Sequence, residues 1–300
     1  MSILDRAKAA GARQVLAYIE KDPDKNILRI VDWMIKFNVA GSKHNEDLLK
    51  VRAQLEDRDS SWYRLVKSLW TDIDTGIRKT VFENLVVNVG MARQSSKKKS
   101  DVDIPMGIML DQTGVTEIRR LPPADALTFE EYDMHVRRRK RAGTFAFIFT
   151  GGTESISVTD LRKLARVHSD CIFVMMCSAE DVDDHFADTC FAVRNIVPVI
   201  SAEGCEGACV ILRRRRLAYG VFTKCGKGNL EELKSEEFAD RMVSCGAKIV
   251  WMFTDEEDSL EPEQEDALYA KVLEYRNEKP VLIVDFISEE QFLGGRIEGR

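Results

Sequence analysis

Apolar positions in the first ninety residues recur at three- and four-residue intervals among charged ones. NILRIVDWMIKF (26–37) and SSWYRLVKSLWTDIDTGIRKTVFENLVV (60–87) show the spacing of helices that bury one face. Residues 1–90 therefore read as an all-helical region, with Trp33, Trp62 and Trp70 as core aromatics. Residues 91–105, including MARQSSKKKSDVD, are polar and aperiodic and read as a linker. From residue 106 the period changes. Short apolar or β-branched runs at 106–111, 145–150, 171–177, 196–201, 218–223, 247–254 and 281–286 alternate with amphipathic stretches such as FEEYDMHVRRRKRAG and PEQEDALYAKVLEYRNEK. Strand followed by helix, repeated, predicts right-handed crossovers and a parallel sheet buried on both faces. So many units fit an α/β domain over 106–300 that forms a partial parallel β/α barrel related to the TIM barrel. Such barrels gather their functional groups where the strands end.

With 300 residues and 44% hydrophobic positions, the chain is long enough to bury a sizeable core. The net charge of -6 argues against a general nucleic-acid binder. No apolar run approaches the roughly 20 residues of a membrane span, and MSILDRAKAAGARQ lacks the apolar centre of a secretion signal. No membrane association is expected, and the cytoplasm is the expected compartment. Seven cysteines, at 171, 177, 190, 205, 209, 225 and 245, are odd in number and several lie in strand-like runs, which suits reduced buried thiols. The histidines at 44, 135, 168 and 185 are scattered singly and read as satisfied or solvated side chains.

The clearest strand-end signal is FTGGTES (149–155), where two glycines let the backbone approach a bound group. The order LTFEEYD (127–133), a helix ending at Gly143, FAFIFTGG (145–152) and VTDLRKLARVHSDCIFV (158–174) resembles the core of the radical S-adenosylmethionine (SAM) superfamily. It is most similar to bacterial members with a helical N-terminal extension. The similarity runs on through DDHFADTCFAVRNIVPVISAEG (183–204), SEEFADRMVSCGAKIVWMF (235–253), PEQEDALYAKVLEYRNEKPVLIVDF (262–286) and GGRIEG (294–299), and back into EKDPDKNILRIVDWM (20–34).

That resemblance implies a [4Fe-4S] cluster held by Cys-x3-Cys-x2-Cys after the first strand, with SAM on the fourth iron, because soft thiolates hold the irons and tune their potential. Matched on Asp111 and Thr113, the three ligand positions fall on Thr116, Arg120 and Pro123, none of which ligates iron in that role. The family's Gly-Gly-Glu, whose carboxylate accepts from the SAM ammonium, falls on Gly151, Gly152 and Thr153, with Glu154 one residue late. Ser201 and Glu203, ending the fourth strand, keep a polar character suited to a ligand. A family cysteine near the C-terminus is Arg296 here. Gly151, Gly152, Glu154, Ser201 and Glu203 are thus the candidate cofactor-binding residues, and the resemblance leaves room for SAM without the cluster. No metal site is expected. Cys205-x3-Cys209 has half of a cluster spacing, but its third place is Leu212, and with Cys225 these read as ordinary thiols.

Between Glu203 and the fifth strand the family has a long loop and a full helix, of which GCEGACVILRRRRL (204–217) remains. A shortened fourth crossover of this kind is expected to expose an apolar strand face or to recruit a protein partner over it. The basic run at 137–141 suits the negative end of a helix, whereas Arg213–Arg216 invites an anionic partner, with DEEDSLEPEQED (255–266) as its internal counterpart. Three functions follow. The first is a radical SAM homologue that has lost its chemistry and acts as a binding or scaffold protein or persists as a relic. The second is an enzyme that makes a 5'-deoxyadenosyl radical with unusual cluster ligation. The third is an anion or nucleic-acid binding module built on Arg213–Arg216. The first is favoured, because the three ligands, the Glu, the crossover and the C-terminal segment depart from the family together.

Overall fold

The computed structural model describes residues 3–36, 45–89, 107–111, 114–115, 128–254, 258–285 and 297–298. The linker at 91–105, the cluster-equivalent positions Thr116, Arg120 and Pro123, and Arg296 lie outside the described residues. Helices α1 (Ile3–Lys21), α2 (Pro23–Lys36), α3 (Asn45–Glu56), α4 (Ser61–Asp72) and α5 (Thr75–Phe82) form the N-terminal region, and a π-helical stretch, Glu83–Val89, follows. Ser60 and Asp74 set the starts of α4 and α5 by accepting hydrogen bonds from the otherwise unpaired first-turn amides of Tyr63, Gly76 and Ile77. Ile27, Val31, Leu55 and Tyr63 form a small core here, against which Trp62 and Trp70 pack. The Trp33 side chain lies outside the described residues.

Strands β1 (Gly107–Asp111), β3 (Ala146–Phe149), β4 (Ile172–Cys177), β5 (Ile196–Ser201), β6 (Gly220–Cys225), β7 (Ile249–Thr254) and β8 (Leu282–Asp285) pair in parallel, each with the next in chain order. A two-residue β2 (Gly114–Val115) folds back antiparallel on β1, and β9 (Ile297–Glu298) lies parallel to β1. The crossovers carry α6 (Phe129–Ala142), α7 (Val158–Val167), α8 (Asp184–Val193), α9 (Cys205–Arg214), α10 (Glu236–Ser244) and α11 (Pro262–Glu278). Every residue of β3 and β4 is buried, as expected where both faces are covered. Phe147, Phe149, Phe173 and Met175 point to the helix-covered face, while Ile148, Val174, Met176 and Trp251 make a second apolar cluster on the other.

Two expectations need correction. The fourth crossover is not bare: its residues form the ten-residue α9, which buries Cys205, Ala208, Cys209 and Leu212. Those four fall at i, i+3, i+4 and i+7, so one short helix supplies an apolar stripe that packs into the main core. The strand expected at 218–223 starts later, at Gly220. Tyr219 is committed to a hydrogen bond with the Cys245 carbonyl (2.5 Å). Gly220 then lies so close to Ile249 that an added Cβ would fall 2.8 Å from its side chain. This shift brings Lys224 and Cys225 into the strand.

The N-terminal helices are bound to the edge where the strands begin. Arg78, 8% exposed, makes a two-pronged pair with Glu20 (2.8 and 2.7 Å) and donates to the carbonyls of Leu69, Trp70 and Ile73. It thereby ties α1, α4 and α5 together. Asn84 donates to the carbonyls of Ser169 and Cys171 (2.9 Å each), just ahead of β4. The Asp74 amide donates to the Arg216 carbonyl (2.8 Å) ahead of β6, and Lys248, ahead of β7, pairs with Asp72. Ile73 and Ile77 enter the main core.

Candidate functional site

At the ends of β3 and β4, the glycine pair serves the fold. Gly152 has φ +59, and a Cβ there would meet Asp181 Oδ2 at 3.2 Å and the Cys177 backbone at 3.6 Å. Left-handed backbone pressed against a neighbouring strand end is a place where glycine is favoured. The Asp181 carboxylate that faces it accepts from Thr153 Oγ1 (2.7 Å) and from the Ser178 amide and hydroxyl (3.1 Å each). Gly151 caps the short helix Gly152–Ser155, whose backbone includes Glu154. Ser155 closes this turn through its hydroxyl, which donates to the Gly152 carbonyl (2.9 Å). The geometry thus joins two strand ends to each other.

A cleft of about 480 Å3 opens one strand further on, at the ends of β5 and β6. Ser201, Glu203, Thr223, Lys224, Glu232 and Arg241 supply its polar lining. The turn after β5 is held by the Glu203 amide, which donates to Ser201 Oγ (3.4 Å), and by Gly204 at φ +63. The turn after β6 is pinned by Asn229, which donates to the Lys224 carbonyl (2.8 Å) and accepts from the Gly226 amide (2.9 Å). Arg241 pairs with Glu232 (3.1 Å), neutralising one wall. Among the described residues neither the exposed Glu203 carboxylate nor the exposed Lys224 ammonium has an ion-pair partner. The cleft therefore presents one carboxylate and one ammonium without an ion-pair partner, beside the Ser201 hydroxyl, whose oxygen accepts from the Glu203 amide.

Ser201 and Glu203 both line this cleft, whereas Gly151, Gly152 and Glu154 are not part of its lining. Sequence reasoning missed Lys224, Glu232 and Arg241. Lys224 follows Phe222 at a two-residue interval in GVFTKC, so the strand periodicity held the signal once the strand start was placed correctly.

All seven cysteines are buried thiols. Cys190 and Cys177 lie in apolar surroundings, and burial pushes both thiols well above their usual range. Cys205, Cys209 and Cys245, on α9 and just after α10, place their sulfurs within 4.8 Å of one another. Cys225, the residue weighed beside the first two, is replaced in this group by Cys245.

Arg213–Arg216 is occupied internally. Arg213 donates to the Ser244 carbonyl (3.0 Å), Arg214 pairs with Asp184, Arg215 with Asp188 (2.6 Å), and Arg216 donates to the Thr71 carbonyl (3.0 Å). The basic run at 137–141 ends α6 as its macrodipole favours, before Gly143 at φ +106. No described helix is long and apolar enough to cross a membrane. No protein-family model matches this chain, and no curated protein matches it.

Proposed function

We propose that this chain is a binding protein on a partial β/α barrel of radical SAM type, one that has given up the [4Fe-4S] cluster and its radical chemistry. The cleft at the ends of β5 and β6 is its ligand site. The observation that carries this is the distribution of donors at the strand ends. A carboxylate and an ammonium stand without ion-pair partners in a cleft, while every thiol of the chain lies between 171 and 245 and is buried. None is found in the sequence from β1 to Asp170, where the cluster would be held.

Support for the barrel comes from the strand order. The strands pair in chain order without reversal, and β9, next in chain after β8, lies against β1 at the opposite end of that order, as in a sheet that curls back on itself. Sites in such sheets lie at the strand ends that the cleft occupies. The ligand class follows from the lining. A zwitterion such as the amino-acid end of SAM sets its ammonium against Glu203 and Ser201 and its carboxylate against Lys224. The radical-forming alternative loses ground because the only thiols grouped among the described residues are in mutual contact; a cube of four irons and four sulfides needs its ligands splayed around it.

The test is anaerobic reconstitution with iron and sulfide, with calorimetric titration of SAM in parallel. The expected result is no acid-labile sulfide, together with SAM binding that Glu203→Gln and Lys224→Ala each weaken. About four irons and four sulfides per chain, with absorption that responds to SAM, would establish the enzyme instead. Failure of SAM to bind would remove the zwitterion assignment.

A further inference from the structure

We propose that Cys205, Cys209 and Cys245 form a binding site for a single thiophilic d10 cation, with Zn2+ as the reference ion. Cys205 and Cys209 fall at i and i+4, so both sulfurs share one face of α9 at its first turns. Cys245 closes α10, where its amide donates to the Arg241 carbonyl (2.9 Å) and its carbonyl is held by Tyr219 (2.5 Å). Gly246 follows at φ +75, and a Cβ there would lie 2.8 Å from the Tyr219 hydroxyl. The third thiol is thus fixed by a tyrosine and a tight turn and has little freedom to swing away.

The distances match one ion. The three sulfurs lie within 4.8 Å of one another, and Cys205 and Cys245 are 3.8 Å apart. Two sulfurs each about 2.3 Å from a tetrahedral zinc stand about 3.8 Å apart. The thiols are 0%, 0% and 4% exposed in the order 205, 209, 245, so a bound ion is shielded from bulk water. Three thiolates and a divalent ion leave one excess negative charge. Arg213, which donates to the Ser244 carbonyl (3.0 Å), stands beside the backbone that carries Cys245. Three protein ligands leave a fourth position for water or an added ligand.

The site does not depend on the SAM reading: a chain with no affinity for SAM would still bind the ion, and a chain that binds SAM need not. The test is titration of the reduced, metal-free full chain with Co2+, then Zn2+, under anaerobic conditions. One equivalent of Co2+ with intense sulfur-to-cobalt charge-transfer absorption, displaced by Zn2+, is expected. Cys205→Ala, Cys209→Ala and Cys245→Ala should each weaken it by at least about 10- to 100-fold, the scale of a disturbed metal environment, while Cys225→Ala leaves it unchanged. Because a variant can fail to fold, X-ray absorption on the zinc-loaded native chain gives an independent answer. Three sulfurs at about 2.3 Å support the site. A shell of nitrogen and oxygen, cobalt binding without charge-transfer absorption, or a Cys205–Cys245 disulfide that forms in preference to metal uptake would each overturn it.

Discussion

Where the parallel strands begin, polar groups are consumed by the fold. Asn84, Asp74 and Asp72 from the helical region, with Asn195 from within the sheet domain, supply donors and acceptors to the segments that lead into β4, β6 and β7, while Arg78 ties the helices to one another. Where β5 and β6 end, Ser201, Glu203 and Lys224 line one cleft, and the two charged groups have no ion-pair partner among the described residues. The two edges belong to one sheet and differ in what their polar side chains do. Groups buried with partners hold elements together, and groups held out by pinned turns remain for a ligand.

Substitutions should separate the edges by their effect on stability. The largest effect is expected from Arg78→Ala, which strands the Glu20 carboxylate (its side chain 14% exposed) and frees three carbonyls. Breaking such a pair costs about 3–5 kcal/mol. Urea unfolding should show that loss in a single transition; loss of the helical region alone, with the sheet domain unmoved, would show that the two do not fold as one. Asn84→Ala comes next. It leaves the Ser169 carbonyl without this donor and weakens the hold on Cys171, at about 1–3 kcal/mol.

Acidity should act on the same edge. His168, 2% exposed, sits between Asp133 (2.9 Å) and Lys140 (3.5 Å), with Arg137 also bearing on it and Asp170 paired to Lys140. Burial pushes it below its ordinary value near 6.5, more than Asp133 raises it. The unfolded chain therefore takes up the proton first. Stability from this group is complete above about pH 6.5 and is lost as the pH falls from there toward the lower folded-state value. Asp133 is itself lowered, chiefly by Arg137, so its own contribution fails only in stronger acid, below the usual carboxylate range. Thermal midpoints should decline from pH 7 to 5.5, and His168→Gln should flatten that slope. The smallest effect is expected at the other edge. Lys224→Ala should change stability by no more than about 0.5 kcal/mol while altering binding of the proposed ligand; a large loss of stability would mean that this group holds the fold after all.

The period change near residue 106 and the alternation of runs announced the strands, because burial on both faces writes continuous apolar segments. The start of β6 was placed two residues early because Ala218 and Tyr219 look strand-like; the Tyr219 hydroxyl serves a carbonyl 26 residues further on. The bareness of the fourth crossover was overestimated for a related reason: ten residues suffice when four of them form one stripe, and length alone does not say so. At the candidate site, Ser201 and Glu203 were legible as strand-end polar groups, but Arg241 and Glu232 reach the cleft from elements that come later in the chain. The union of Cys245 with Cys205, 40 positions apart, is likewise a product of helix packing, which periodicity does not record.

The bond between Lys248 and Asp72 joins residues 176 positions apart. Asp72 therefore leaves the ribosome long before its partner exists. At roughly 5–20 residues per second the interval is about 9–35 s. The helices that close the starting edge are made before the strands they meet, so until those strands emerge the nascent chain carries Ile73 and Ile77 with no sheet to receive them. A chaperone that shields short apolar helices has its opportunity in that interval.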